Sequence, residues 1–502
     1  TILTHGKMVS PTMANFIRMT VCFAVNHACV VAVLGLAVGL LGDNGSFQSG
    51  SLYLTYAITA LFFSTGLIDC MGPRMSLIVS ASLYSVYVIS FPVALVLPKD
   101  APAAEITVAL FGGVVGGFAA GFLWAAQGVY FALSAKKYAA ENAIDVPEAN
   151  STLASTFAAI FLGLEVLLKL LPLSLVSLDQ NIVLYGGDKK VAAKDLIVVI
   201  VYSGLCVVSV LGLFGIKDLR ERDVATAAAS AEEGEQERDA SINGGGSADE
   251  GKSASLLAAA PARKGAIDFS KVTAAIDLWW TDPSVLLLAP VQITFGFCAA
   301  MLAANVTGSV VKRQFDGSDG GPNTWVTVGA CLSALIAIVA AGLQVPFKLI
   351  ASRYGKVPIM LAGLLAFVSL SLIILLLDEE QLGSWAVLVP LYLLQGLGRG
   401  CYEGTNKALY ADFFPGKAPA AFANIILANG GASAFLFFVQ PSLKHSLAWK
   451  GPNELGKAVP LLAFVSACLT VLSYIGAEVV HRAKLRRAAA VDPIVAGAAA
   501  HH

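Results

Sequence analysis

Charge is scarce in this chain. Charged residues make up 13% of 502 positions, 33 Lys and Arg against 34 Asp and Glu, where a soluble domain carries about 25%. So few charges cannot cover the surface of a soluble protein of this length, which excludes a multidomain soluble enzyme. The formal net charge is −1, so there is no basic bias to suggest nucleic acid as a partner. Cysteine is sparse as well, with 8 in the chain, too few for a secreted disulfide framework. Cys22, Cys29, Cys70, Cys206, Cys298, Cys331, Cys401 and Cys468 all fall within or at the ends of apolar runs and read as small packing residues. No Cys/His cluster has metal-ligand spacing, so neither metal nor cofactor is expected. Strand-period alternation is missing, which argues against a β-barrel. Nucleophile elbow, phosphate loop and dinucleotide fingerprint are missing too, so the chain does not read as an enzyme.

Apolar residue is what the chain has in excess, at 57%. Long apolar runs recur, each able to cross a hydrocarbon core of about 30 Å. Twelve spans are expected. Six lie at 17–41, 51–70, 75–97, 106–134, 152–178 and 196–216, and six at 283–305, 325–347, 357–377, 385–408, 419–441 and 457–480. The fold class is therefore an all-α polytopic membrane protein with membrane lipid around it. Lys and Arg favour the segments that share a side with the N-terminus, among them Arg74, Lys136, Lys137, Lys356, Arg482 and Arg487. That bias predicts both termini in the cytosol. The chain starts at Thr1, and its first apolar run is too long for a secretory leader, so no cleavable signal is expected. Asn44-Gly45-Ser46 fits a glycosylation sequon, but in so short a loop it reads as an unused turn.

Residues 223–265 change character, with Ala, Ser and Thr followed by Glu232, Glu233, Glu235 and Glu237 and then three glycines. Such composition cannot bury a core and predicts a disordered cytosolic linker. Residues 266–281 carry Trp279 and Trp280 on an amphipathic pattern that suits a helix at the membrane interface. The expected organisation is a six-helix half over 1–222, the linker, the interfacial helix with a second six-helix half over 266–487, and a disordered tail over 488–502. Two helix-joining segments repeat a turn signature. One contains Gly66, Asp69, Gly72 and Arg74; the other contains Arg353, Gly355 and Lys356, with Ser352 where the acid would stand. Glycine permits the tight turn, and the acid and bases could pair differently in two states. A conformational latch and a plain structural turn both fit.

Ionisable residues inside spans are costly and face a cavity or a partner. The first span carries Asn26 and His27. The fifth carries Glu165 and Lys169, four apart in the favourable order, which fits either a self-neutralised pair or an ion-coupling site. The fourth sets Trp124, Gln127 and Tyr130 at steps of three behind a glycine-rich stretch that would let another helix approach closely. The tenth carries Arg399, Glu403 and Lys407 at steps of four, with Asn406 expected on the same side; an early exit that solvates this ladder is the alternative. The eleventh adds Asn424.

The six-plus-six layout with a long central linker resembles the major facilitator superfamily, two six-helix halves related by pseudo-symmetry. Residues 123–130, Leu-Trp-Ala-Ala-Gln-Gly-Val-Tyr, resemble the fourth-helix signature of its uncoordinated-ninety-three-like branch. Residues 398–407, with Asp412 to Pro415 and Ala421 to Asn424, are similar to the tenth- and eleventh-helix region of that branch. Ala125, Val129 and Ala132 depart from it, standing where hydroxyl residues or a variable site are expected. The resemblance implies a transporter of a small polar or charged solute or ion working by alternating access, with proton or cation coupling open. The other implied role is a non-transporting regulatory or trafficking subunit of a partner membrane protein.

Overall fold

The computed structural model describes residues 10–175, 181–185, 189–219, 270–317, 323–415, 417–446 and 456–491. The expected linker over 223–265 lies outside them, as does the expected tail from 492 on, whereas its first residues, 488–491, continue the last helix. Helix α1 spans Pro11–Leu41, α2 Asp43–Phe62, α3 Ser64–Val96, α4 Pro102–Asn142, α5 Val146–Lys169 and α6 Ala193–Leu213. Helix α7, Ser270–Thr281, precedes the second set. Helix α8 is Ser284–Phe315, α9 Trp325–Tyr354 with a break at Leu343, and α10 Val357–Leu376. The short α11 is Glu379–Gly383. Helix α12 joins Trp385–Gly400, a π-wound stretch Cys401–Asn406 and Lys407–Phe413, and α13 and α14 are Ala418–Ser446 and Ala458–Val491. Ten helices among the described residues are long and apolar enough to cross a membrane. Helix α2 and the interrupted α12 complete the expected twelve.

Several boundaries move for physical reasons. The second span begins at Asp43 and not at 51, because Gly42 adopts φ +59° and turns α1 directly into α2. The polar residues that hid this turn from an apolar window are satisfied internally. Asn44 donates to Glu105 (2.9 Å), Ser46 to Gln440 (3.0 Å) and Gln48 to Ser90 (2.7 Å). The sequon therefore sits in the first turn of α2, with Ser46 buried. Helix α5 stops at Lys169 and a 3₁₀ turn, Leu171–Leu175, replaces the rest of the expected span at Pro172. A strand pair that the periodicity did not show, Asn181–Leu184 with Lys189–Ala192, caps this end as an antiparallel hairpin (β1, β2).

The glycines of α4 receive two helices. A Cβ on Gly113 or Gly117 would come within 2.4 or 2.2 Å of the α2 carbonyls of Gln48 and Leu52. On Gly116 it would meet Tyr87 of α3 at 2.6 Å. Buried apolar residues form two clusters, one built on α1–α6 and one on α7–α14. They touch along α1 with α8, α5 with α9, and α2 with α13, where Tyr53 stacks on Phe437 at 6.0 Å. Twelve crossings return Val491 to the face from which Pro11 starts, the terminal face.

Candidate functional site

Phe157, Phe161, Glu165 and Lys169 are each four residues apart, so one face of α5 presents two rings, an acid and a base in order. The Glu165 carboxylate is fully buried. It accepts from Lys169 Nζ at 2.8 Å and, on both oxygens, from the Arg399 guanidinium of α12 at 2.7 and 3.1 Å. Arg399 Nε also donates to Glu403 Oε1 at 2.8 Å. Lys169 reaches the Ser333 carbonyl of α9 at 3.5 Å. Two acids and two bases cancel, which is the condition for holding four ions away from water. The Glu165–Lys169 pair expected from spacing thus exists, but it shares its acid with the opposite half. Along the Arg399, Glu403, Lys407 ladder exposure rises towards the terminal face: the Arg399 side chain is 14% exposed, Glu403 36%, and Lys407 is exposed.

Depth orders these groups. Helix α5 runs away from the terminal face and α12 runs towards it. Phe161 and Glu403 each lie four residues, about 6 Å, on the terminal side of the Glu165–Arg399 tie. They lie at one depth on the two sides of the seam. On the far side of that level, further polar ties join the halves: Lys169 to Ser333, Lys194 to Asn323 (2.8 Å), Thr327 to Pro172 (3.3 Å), Ser46 to Gln440, and Lys312 to the Gly39 carbonyl. Lys312 also lies over the Trp325 ring at 5.5 Å, and Trp325 closes against Gly39. The face away from the termini is clamped.

At the Phe161 level His27 sits inside an aromatic cluster. Its ring lies 5.3 Å from Phe161, 5.0 Å from Trp124, 6.2 Å from Tyr84 and 6.2 Å from Phe23. Phe157 and Phe161 stack at 5.4 Å. His27, Trp124 and Phe161 remain half-buried although helices surround them. His27 Nδ1 is buried without a hydrogen-bond partner. The sequence reading missed Phe23, Phe157 and Phe161; their steps of four from His27 and Glu165 were the available signal.

Other expected site residues are placed elsewhere. Asn26 turns from the cluster and donates to Ser85 (3.0 Å) and Ser209 (3.2 Å), tying α1 to α3 and α6. Gln127 is half-buried on α4. Tyr130 does not join Trp124, because residues three apart drift about 60° per step on a 3.6-residue helix and six apart diverge twice that. Its hydroxyl donates to the Lys217 carbonyl (2.8 Å) and accepts from Asn15 (2.7 Å) at the end of α6. Asn406 exchanges two 3.1 Å hydrogen bonds with Gln292 of α8 and leaves the Arg399 side, since the π-wound stretch turns less per residue. Lys407 is exposed at the terminal-face end. Asn424 anchors α7: it accepts from Trp279 and donates to the Ala275 carbonyl (3.1 Å). Trp280 beside it is 82% exposed. At the junction of α7 and α8, burial pushes the Asp282 carboxyl up, but Lys484 and Ser284 outweigh it and hold the group below the ordinary range.

The two turn signatures match in conformation. Gly72 has φ +77°, ψ 161° and Gly355 has φ +79°, ψ −178°, a region open almost only to glycine. Gly66 and Asp69 lie on the α3 turns before Gly72, with Asp69 exposed. Arg74 donates to the Phe214 (2.7 Å) and Ile216 (2.8 Å) carbonyls at the end of α6. Lys356 pairs with Asp412 at the end of α12, and Arg353 lies over the exposed Tyr354 ring at 5.4 Å. Among the described residues no group of His, Cys, Asp and Glu could hold a metal ion.

No protein-family model matches the chain, and no curated protein matches it in sequence. Its three-dimensional form is similar to solved transporters. The nucleoside transporter NupG is 12% identical over 93% of this chain and 99% of its own, with a TM-score of 0.59. The xylose transporter XylE from E. coli, in an inward open conformation, is 12% identical over 92% and 94%, with a TM-score of 0.57. The peptide transporter POT in complex with sulfate is 14% identical over 93% and 94%, with a TM-score of 0.57. Twelve helices in two clusters, together with these likenesses, give the chain the fold of the major facilitator superfamily and make it an integral membrane protein.

Proposed function

We propose that the chain is a secondary transporter that moves a small polar or charged solute or ion by alternating access, with its terminal face and both termini in the cytosol. The observation that carries this reading is the Glu165–Arg399 ion pair between the halves. Glu165 already has Lys169 four residues on, and Arg399 already has Glu403. When the clamped face opens, Glu165 and Arg399 separate, yet each half keeps an internal pair and no ion is left alone in a dry seam. That arrangement suits a contact made to be broken and remade. His27, Trp124 and Gln127 line the solute path. The turns at Gly72 and Gly355, with Asp69, Arg74, Arg353 and Lys356, act as the latch between states. A coupling ion that entered this neutral set of four would upset its balance, so proton or cation coupling belongs to the same reading. The NupG, XylE and POT likenesses support it.

The test is flux through purified protein in liposomes, with K⁺, Na⁺, H⁺ and a panel of small solutes. Saturable flux is expected, reduced at least tenfold in Glu165→Gln and in Arg399→Ala, both checked for folding. Flux unchanged in both variants overturns the role of the ion pair. No flux from folded protein favours the second reading, a regulatory or trafficking subunit bound to a partner membrane protein. The resemblance of residues 123–130 and 398–407 to the uncoordinated-ninety-three-like branch supports that alternative.

A further inference from the structure

The level just on the terminal side of the Glu165–Arg399 tie has unequal walls. The α1–α6 wall is aromatic: His27, Trp124 and Phe161 are mutually within 5.0–5.8 Å and half-buried, so part of each ring is left uncovered. The opposite wall, at the same depth, presents Glu403. Exposure of the four ions is graded. Glu165 is sealed, Lys169 is 4% exposed, Arg399 14% and Glu403 36%. Of the four ions the one most open to a solute is therefore an acid, even though the four cancel. Only one Glu403 oxygen is used by Arg399. Both walls favour the same ligand chemistry. A carboxylate attracts a cation, and the face of an indole or phenyl ring carries negative density that attracts one too. A flat solute additionally stacks against such rings.

We infer that the solute is a ring-bearing organic cation, its charge at Glu403 and its ring against Trp124, Phe161 and His27. This deepens the transporter reading and rests on it for the step of carriage, but the site can be tested by binding alone. The amine reaches the free Glu403 oxygen without displacing Arg399, so the cross-half tie survives binding. An organic anion would meet Glu403 with like charge, and the two cations beside it, Arg399 and Lys169, are already paired. Water-sized inorganic cations would leave the rings unused.

Calorimetric titration of the detergent-solubilised full chain tests the inference. The probes are tryptamine, N-methylquinolinium and benzyltrimethylammonium, against indole-3-propionate, which keeps the indole and reverses the charge, and hexylamine, which keeps the charge and lacks the ring. At least one ring-bearing cation should bind at least tenfold more tightly than both controls. That advantage should fall about tenfold in Glu403→Gln and in Trp124→Leu, and recover in part in Glu403→Asp. No preference for the cations, or an affinity indifferent to Glu403→Gln in protein of unchanged thermal stability, overturns it. Selective binding without flux in liposomes removes the transporter reading and leaves the site. Flux of some other solute without cation binding does the reverse.

Discussion

Glu165 carries more consequence than any other side chain in the seam, because two cations depend on it. Replacing it with Gln strands Lys169 in a dry environment and leaves Arg399 with Glu403 alone, and breaking a buried pair this way costs about 3–5 kcal/mol. The double variant Glu165→Gln, Lys169→Met removes one charge of each sign and leaves Arg399 with Glu403. It should recover most of the lost thermal stability in detergent, while a single-site packing effect would leave both variants equally destabilised. Half of this network was legible in the sequence. The Glu165–Lys169 and Arg399–Glu403 spacings name their own pairs, since residues four apart meet on any helix. The tie between Glu165 and Arg399 spans 234 residues of chain, and no local rule reports it. Asn26, Tyr130, Asn406 and Asn424 were visible as polar residues in apolar spans, but not their partners, which come from other helices.

At the scale of the element, spans were readable where the chain is uniformly apolar and were misplaced where polar residues are satisfied within the bundle. Helix α2 shows why: Asp43 to Ser51 looks like loop, yet its amide and hydroxyl groups bond to α3, α4 and α13. The π-wound stretches Leu302–Val311 and Cys401–Asn406 have no sequence signature, and they decide which faces Asn305 and Asn406 occupy. Helix α7 gives a test at this scale. It is held to α13 by Asn424, through Trp279 and the Ala275 carbonyl, with Ala275 and Leu278 buried beneath it. Asn424→Ala should raise amide hydrogen exchange across 270–281 and shift indole emission to the red, leaving α1–α6 unchanged. Exchange unaltered in that segment would show that apolar docking suffices.

For the whole molecule the defining feature is asymmetry of closure. The ties at Ser46–Gln440, Lys194–Asn323 and Lys312–Gly39 all hold the face away from the termini. A disulfide formed between cysteines placed at 46 and 440, with the native cysteines replaced, should form readily and stop flux until it is reduced. Flux that continues through the crosslinked protein would show that this face need not open. The twelve-helix architecture was legible because length and apolarity alone specify spans. Which face is shut was not, because closure depends on contacts between halves that the chain order does not reveal.

The cancellation of charge at mid-depth has an electrical consequence. Each half carries one acid and one base there, so rocking the empty protein moves no net charge through the membrane field. Its return step should be indifferent to voltage. A bound monovalent cation then contributes the whole moving charge, one per cycle, worth about 2.3 kcal/mol for each 100 mV. In a cell with a negative interior, such a carrier would concentrate its cargo inward on the potential alone.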